Sequence, residues 1–517
     1  MSTLTLREPK YQQLKNRLIQ IRDLEAAASV LNWDQTTYMP TGGTYARGRQ
    51  IATLKEFAHE KFTDPTIGQL LEDLRPYEKS LPYDSTEASL IRVTRRDYDR
   101  AIRVPSEFMA KFCQHQATAY ETWVKAKSVK DFSLVQPYLE KTLDLSQELA
   151  SFFPYQHIAD PLIDFVDEGM TVSILQPLFS QLRQKLLPIV ETITSAPPIN
   201  DSCLCQHYPK EQQLKFGRTV IERIGFDFQR GRQDETPHPF TSSFSIGDVR
   251  ITTRVYEDNF TEALFSTVHE VGHALYEQGI GLELEGTPLA EGTSSGIHES
   301  QSRLWENMVG RSRGFWECFY PQLQGIFLKQ LSYVSVSEFY RGINKVAKSS
   351  IRTDADEVTY NLHVMIRFDL ELAMLEGKLA VKDLPEAWNE RYKADLGIVP
   401  ADDSEGVMQD VHWYAEMIGG MFQGYTLGNL IAAQIYESAV KFDPEVTVAI
   451  ERGNFTLLHK WLKQNIYQHG RKYTTNELIK RVTGKPLSIE PFIRYIQDKY
   501  SNIYNTKLAT STFSEKK

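Results

Sequence analysis

The chain has 517 residues, of which 41% are hydrophobic and 24% charged, as expected for a globular protein with a sizeable core. Its net charge of -9 is mild and acidic, which argues against nucleic acid and anionic membrane surfaces as partners. The four cysteines are too few for a disulfide framework, no apolar run is long enough to span a membrane, and the first ten residues lack the apolar core of a secretory signal. We therefore expect a cytoplasmic protein with no nucleic-acid and no membrane partner.

Helical periodicity dominates the chain. Apolar residues recur at helical spacing over eight stretches, which are 11–31, 89–103, 106–127, 175–194, 335–343, 358–376, 425–441 and 454–465. The main strand candidate is 240–256, where a turn precedes the β-branched run at 251–253. Because no repeat, long linker or low-complexity tract divides this pattern, we predict one α-helical catalytic domain over residues 1–504 and a disordered tail over 505–517.

His269, Glu270 and His273 form an H-E-x-x-H sequence within a run of helical periodicity. Residues four apart lie on one face of a helix, so the two imidazoles can bind one metal ion. Glu270 lies beside them, where its carboxylate can take a proton from the attacking water. The helix is predicted to begin after Asn259, as N-cap, and to end at Gly279. This is the minimum equipment of a zinc peptidase, although chance could also place two histidines on an ordinary amphipathic helix.

A third metal ligand is predicted downstream, at Glu299. Catalytic zinc sites often use two histidines and one carboxylate and keep a fourth position for water. Glycine and proline after the motif allow a turn and a second helix, beginning near Thr293, that packs beside the first. Glu277 and Glu291 are alternative ligands. Gly272, inside the motif, costs the helix about 1 kcal/mol relative to alanine, which makes sense if another backbone or a substrate comes close.

Six motifs occur along the chain in order. They are H-P-F at 238–240, D-x-R-x-T at 248–252, H-E-x-x-H at 269–273, H-E-S-Q at 298–301, I-R-x-x-A-D at 351–356 and G-x-x-Q-D-x-H-W at 406–413. In these motifs, and in N-W-D-Q at 32–35, the chain resembles the carboxypeptidase Taq family of zinc metallocarboxypeptidases over nearly its whole length. It departs from the family at 418–425, which is one residue longer than the usual segment after H-W and lacks its proline.

The resemblance implies a mostly α fold, with one large helical catalytic unit, a deep substrate groove and a small β-sheet beside the zinc helix. It implies an enzyme that releases single amino acids from peptides with a free C-terminus. It further implies one Zn²⁺ per chain, with Co²⁺ among the metals that can substitute, and a homodimer.

The chemistry of peptide hydrolysis assigns roles to the motif residues. His269, His273 and Glu299 are the expected metal ligands, and Glu270 is the expected base, which afterwards protonates the leaving amine. Three residues are candidate donors to the developing oxyanion, namely His412, Tyr425 and His238.

Release of C-terminal residues requires recognition of a free carboxylate, for which the planar fork of arginine is well suited. The resemblance makes Arg352 the first candidate. Arg250 is the second, and it could instead hold Asp248 or the substrate strand. Gln409 and Asp410 are expected to line the same end of the groove.

Two other functions remain open at this stage. An oligopeptidase or endopeptidase on a similar scaffold would share the metal site but lack the carboxylate clamp, and a C-terminally amidated peptide would distinguish it. A peptide-binding protein with a decayed H-E-x-x-H would hold no catalytic metal, and metal analysis would identify it. The presence of both histidines and both glutamates argues against decay.

Overall fold

The structure is a computed structural model that describes residues 7–508. Most of these residues are helical. The helices in chain order are α1 (Arg7–Thr37), α2 (Thr44–Phe62), α3 (Pro65–Ser80), α4 (Thr86–Arg103), α5 (Ser106–Val129), α6 (Gln136–Ser151), α7 (Asp160–Val166), α8 (Val172–Thr194), α9 (Lys210–Ile224), α10 (Phe260–Gly279), α11 (Ser295–Arg303), α12 (Arg313–Ile326), α13 (Leu328–Leu331), α14 (Val336–Ile343), α15 (Tyr360–Leu375), α16 (Leu384–Leu396), α17 (His412–Ala415), α18 (Phe422–Phe442), α19 (Glu445–Glu451), α20 (Thr456–Asn465), α21 (Thr475–Thr483) and α22 (Glu490–Tyr504). All eight predicted helices are present, so the expectation of a mostly α fold is confirmed.

One small sheet of three strands precedes α10. Its strands are β1 (Gly231–Glu235), β2 (Thr241–Ser245) and β3 (Asp248–Thr253), in the order β1-β3-β2. β2 and β3 form an antiparallel hairpin, and β1 pairs with β3 in parallel. The predicted strand region contains β2 and β3. β1 was not predicted, because its sequence G-R-Q-D-E has no β-branched or aromatic residue.

The sheet packs on α10, which explains the order of residues along β3. Val249 and Ile251 are fully buried, and α10 packs against β3. The hydroxyl of Thr253 lies 2.9 Å from that of Thr267 on α10. Arg250, one position out of phase, extends from the opposite face of the strand and lies over the ring of Trp33 on α1. The small sheet beside the motif helix is therefore confirmed.

α10 and α11 approach each other closely at the H-E-x-x-H motif. Asn259 caps α10 by accepting from the Thr261 amide, as predicted for this N-cap. Ser294 caps α11, close to the predicted start at Thr293. A Cβ atom on Gly272 would lie 2.5 Å from the Cα atom of Ser302 on α11. The glycine therefore allows the close backbone approach that the sequence suggested.

The chain divides into two compact units. Unit 1 comprises Met1–Arg103, Ser202–Tyr340 and Ile435–Gly484, and unit 2 comprises Val104–Asp201, Arg341–Gln434 and Lys485–Lys517. In unit 1, apolar side chains of α1, α3 and α4 form a core that also contains Ile246 from the β2–β3 turn and Ile280 from the end of α10. This core anchors both the sheet and the motif helix.

Each unit is assembled from three separate chain segments, so neither is a continuous domain. The single domain over 1–504 stays a prediction. Most of the predicted disordered tail, from residue 509 onwards, lies outside the described residues. No helix among residues 7–508 combines the length and the apolar character needed to cross a membrane.

Candidate active site

The three predicted metal ligands lie together in unit 1. One nitrogen of His269, one of His273 and one carboxylate oxygen of Glu299 are all within 4.8 Å of one another. The Nε2 atoms of the two histidines lie 3.6 Å and 3.5 Å from Oε2 of Glu299. Ligand atoms about 2.1 Å from a tetrahedral zinc ion would be roughly 3.4 Å apart, so this spacing fits a metal ion. α10 supplies both imidazoles, and α11 supplies the carboxylate.

The carboxylate of Glu299 is buried but strongly paired. Burial opposes its ionisation, and the positive charge of Arg303 and the neighbouring imidazoles outweigh that effect and lower its pKa. Arg303 Nε donates to Glu299 Oε1 over 2.7 Å, which leaves Oε2 directed at the two histidines. The charged form that a metal requires is therefore held in place.

Arg303 also reaches the partner of His269. Its Nη1 donates over 3.2 Å to Oε2 of Glu306, in the π-helical turn Leu304–Gly310 that follows α11. The same oxygen accepts from His269 Nδ1 over 3.0 Å, and Arg311 pairs with the other oxygen. This carboxylate fixes the His269 ring with Nε2 directed at the cluster.

The two alternative ligands are not members of the cluster. Glu277 accepts from the Nε2 atom of His298 over 2.8 Å. Glu291 forms ion pairs with Arg22 and Arg471. Both carboxylates have other partners, so the geometry favours Glu299.

Glu270 is buried, and a residue of the sheet holds its carboxylate. Its Oε2 accepts from the hydroxyl of Thr241 over 2.7 Å, and the same hydroxyl lies 2.9 Å from its backbone oxygen. Thr241 begins β2, directly after H-P-F. One carboxylate oxygen of Glu270 is thus occupied, and the other can take a proton.

The D-x-R-x-T residues form a compact ion pair on the sheet. Arg250 donates to both oxygens of Asp248, each over 2.8 Å, and its guanidinium lies between the rings of Trp33 and Phe244. Of the open alternatives for Arg250, this arrangement favours the one in which it holds Asp248. His238 is exposed, and its backbone oxygen accepts from Thr236.

In unit 2, Arg352 belongs to a buried charged cluster. Its Nε and Nη2 atoms donate to Asp410 Oδ1 over 3.1 Å and 2.7 Å, and Nη1 donates to the Tyr360 hydroxyl over 2.8 Å. Arg367 Nε donates to the other Asp410 oxygen over 2.6 Å. Burial opposes ionisation of Asp410, but the two arginines outweigh it and hold its pKa well below the ordinary range. Gln409 accepts from the backbone amide of Arg352.

His412 and Tyr425 contact each other in the same unit. His412 Nε2 lies 3.0 Å from the Tyr425 hydroxyl. Burial, assisted by the charge of Arg352, lowers the pKa of His412 to about 4, so the imidazole is neutral near pH 7. The Arg352 guanidinium lies 5.0 Å from the centre of the Tyr425 ring. The longer segment before Tyr425 therefore still brings this tyrosine to His412.

Several residues of these two groups were not found from the sequence. They are Thr241, Glu306 and Arg367. Glu277 and His298 were both named from the sequence, but their hydrogen bond to each other was not predicted. Thr241 follows a motif directly, which was a usable signal. Arg367 had no signal, since it lies in an ordinary helical pattern, 43 positions from its partner Asp410.

Comparison with known proteins agrees with the motifs. A family model described as carboxypeptidase Taq (M32) metallopeptidase matches residues 13–500. Thermostable carboxypeptidase 1 of Thermus thermophilus is 39% identical, over 96% of this chain and 99% of that protein. Carboxypeptidase 1 of Bacillus subtilis is 36% identical, over 94% and 97%.

Solved structures give the same result. An M32 carboxypeptidase from Deinococcus radiodurans R1 superposes with a TM-score of 0.93 at 44% identity, over 96% of this chain and all of that one. A metallocarboxypeptidase of Trypanosoma cruzi gives a TM-score of 0.90 at 30% identity, over 95% and 99%. The chain belongs to the carboxypeptidase Taq (M32) family, and it is a metallocarboxypeptidase.

Proposed function

We propose that the metal is zinc, one ion per chain, and that it is held by His269, His273 and Glu299. The supporting observation is the convergence of two imidazole nitrogens and one buried carboxylate oxygen within 4.8 Å. This donor set is typical of catalytic zinc, and Co²⁺ accepts the same ligands. A bound zinc ion polarises the substrate carbonyl and makes water more acidic.

Glu270 is the general base and then the general acid. Because Thr241 occupies Oε2, the water proton moves to Oε1 of Glu270 as the water oxygen bonds to the peptide carbon. The same proton is then delivered to the peptide nitrogen as the C–N bond breaks. The products are a shortened peptide and one free amino acid.

His412 and Tyr425 are proposed as donors to the oxyanion. A neutral imidazole and a phenol can each donate one hydrogen bond without a change of charge. The 3.0 Å contact between them uses one of these two protons, so one of the two groups donates to the oxyanion while the other orients it. His238, with its exposed side chain, is proposed to contact substrate.

Arg352 is proposed to bind the terminal carboxylate of the substrate. Its three described contacts engage each guanidinium nitrogen once, and the two terminal nitrogens each carry a second N–H. Those two N–H groups are the fork that a carboxylate accepts. Asp410 and Gln409 hold the arginine in position, and Arg250 with Asp248 is the alternative binding group.

The decisive experiment compares a peptide with its C-terminally amidated form on enzyme of measured zinc content. A carboxypeptidase with the proposed clamp binds one zinc per chain and cleaves only the free acid efficiently. Equal cleavage of both peptides would identify an endopeptidase, and a protein without bound metal would refute the zinc centre.

The oligomeric state and the location are also proposals. The homodimer follows from the family resemblance, and the cytoplasm from the cysteine usage of the sequence. Light scattering should give twice the chain mass of 59.4 kDa.

A further inference from the structure

His273 has a hydrogen-bond partner that none of the roles above uses. Its Nδ1 atom lies 2.6 Å from Nδ1 of His298, and the two ring centres are 4.8 Å apart. The other nitrogen of His298, Nε2, lies 2.8 Å from Oε1 of Glu277. The same oxygen accepts from the backbone amide of Gly292 over 3.1 Å. These contacts form a series of hydrogen bonds that connects the proposed metal ligands to a buried carboxylate.

Metal binding determines which group donates in each hydrogen bond of this series. His273 directs Nε2 at Glu299, so a metal ligand there must be unprotonated at Nε2 and carry its proton on Nδ1. At 2.6 Å the two Nδ1 atoms share one proton, which means that His298 must accept. A neutral His298 then carries its own proton on Nε2 and donates it to Glu277. Only this tautomer of His298 suits the metal-binding form of His273.

The surroundings of His298 are shaped for its ring. A Cβ atom on Gly292 would overlap the imidazole, so glycine provides the space. The ring of Tyr276 packs against it at 5.2 Å, and the Tyr276 hydroxyl accepts from the Thr293 amide over 3.1 Å. The position of the imidazole is thus fixed from α10 and from the segment that leads into α11.

The two histidine ligands are supported differently. His269 donates directly to a carboxylate, Glu306, which two arginines also contact. His273 reaches its carboxylate, Glu277, only through a second imidazole. The second arrangement depends on a particular tautomer of a neutral group, whereas a carboxylate accepts in any case.

We propose that His298 and Glu277 are positioning residues that hold His273 in the tautomer and ring orientation required for metal binding. This proposal rests on the zinc centre proposed above and adds two residues that determine its affinity. Neither residue contacts substrate or metal in this role. Its consequence is that zinc affinity depends on the hydrogen-bond acceptor at position 298.

The test compares zinc dissociation constants, measured by competition with a chelator, in the parent protein and in variants. His298→Leu removes the acceptor, and we expect affinity to fall by about 10- to 100-fold. His298→Asn keeps an oxygen acceptor close to the position of Nδ1, so its affinity should be closer to that of the parent. His459→Leu is the matched control, because this half-buried histidine of unit 1 packs against Trp305 and Tyr467 and should leave affinity unchanged.

A second pair of variants changes Glu277, at the other end of this series of hydrogen bonds. Glu277→Leu removes the acceptor of His298 and should weaken zinc in the same direction, whereas Glu277→Gln keeps an acceptor oxygen and should recover part of the loss. The melting temperature of each metal-free variant is measured as well. A role in packing alone would lower this temperature in variants with and without a hydrogen-bond acceptor alike.

The outcomes are distinct. If the parent binds zinc and His298→Leu binds it equally well, or if His298→Asn is as weak as His298→Leu, the positioning role is wrong while the zinc centre stands. If the parent binds no zinc, the proposed metal centre is wrong, and the positioning role is wrong with it.

Discussion

Glu270 is the proposed base, and its Oε2 accepts from the hydroxyl of Thr241. Replacing it with Gln keeps the shape and removes the proton acceptor, so we expect kcat to fall by about 10²- to 10⁴-fold with zinc content unchanged. Glu283→Gln, at an exposed position of the same unit, is the control and should keep full kcat. A kcat of Glu270→Gln within tenfold of the parent would assign the base to another group.

Thr241 should affect catalysis without affecting substrate affinity. Thr241→Val keeps the shape but removes the hydroxyl that orients the carboxylate of Glu270. A hydrogen bond to a charged group contributes about 1.5–3 kcal/mol, so we expect kcat to fall by about tenfold or more with KM nearly unchanged. Thr241→Ser should recover most of the rate. Should KM change as much as kcat, or Ser fail to recover the rate, Thr241 would have only a packing role.

Arg352 should determine the preference for a free C-terminus. We expect Arg352→Ala to lower kcat/KM for a free peptide by about 100-fold or more, because the terminal carboxylate loses charge-assisted hydrogen bonds. Amidation should cost the parent a similar factor and the variant little more, since both changes remove one interaction.

The buried partner of Arg352 needs its own control. Removing the arginine breaks one of the two arginine pairs of Asp410 and leaves the pair with Arg367, and breaking a buried pair costs stability. Asp410→Asn disrupts the same ion pair but keeps the arginine, and it should still discriminate against the amidated peptide. If Arg352→Ala discriminates as the parent does, Arg250 becomes the candidate.

The contact between α10 and α11 depends on one glycine of the H-E-x-x-H motif. Alanine at Gly272 would favour the helix by about 1 kcal/mol, but its Cβ would meet the α11 backbone at Ser302, and overpacking costs about 1–3 kcal/mol or more. We therefore expect Gly272→Ala to lower the melting temperature and weaken zinc binding. Gly325→Ala, on α12 with nothing within 4 Å, should be neutral or stabilising. A Gly272→Ala protein as stable as the parent would show that α11 can move away.

α15 carries a buried acid that makes stability depend on pH. Burial raises the pKa of Glu371 to about 7, with Glu416 adding to the shift and Trp413, the Gly419 amide and Arg367 opposing it. The folded state therefore holds this proton more tightly than the unfolded state, whose pKa is near 4.5. Its contribution is complete below pH 4.5 and is lost as pH rises through about 7, on the order of 3 kcal/mol in all.

Glu371→Gln should remove this dependence. Its amide can still accept from Trp413, so the variant should melt above the parent at pH 8 and match it at pH 5. Glu376→Gln is the control, since this acid at the end of α15 pairs with His157 and Lys378 and has a lowered pKa. A Glu371→Gln protein that gains no stability at pH 8 would place the titration elsewhere.

Helices were predictable because the spacing of apolar residues indicates which face of a helix is buried. The predicted helix over 106–127, for example, corresponds to α5. β1 was not predictable, because its strand character comes from pairing with β3 and not from its own residues. The convergence of His269, His273 and Glu299 was predictable because two of them lie on one helix. The contacts that orient the site residues were not predictable, since His269 meets Glu306 and Arg352 meets Asp410 only after the chain has folded.

The two compact units raise the question of whether the molecule unfolds in one step. Six alternating segments make up the units, so the chain crosses between them five times, and neither unit is a continuous piece that could be cut out. All three proposed zinc ligands belong to unit 1. Removing zinc should therefore destabilise unit 1 directly, and unit 2 only if the two unfold together.

We expect a single cooperative transition in calorimetry, in keeping with one domain over residues 1–504. At a free zinc concentration of 100 times Kd, binding stabilises the folded state by about 2.7 kcal/mol, so chelation should move the whole transition to lower temperature. Glu299→Gln, which removes a ligand charge, should melt near the chelated parent and respond little to chelator. If chelation instead splits the transition and moves only one component, the two units unfold separately, and the expectation of one cooperative domain is wrong.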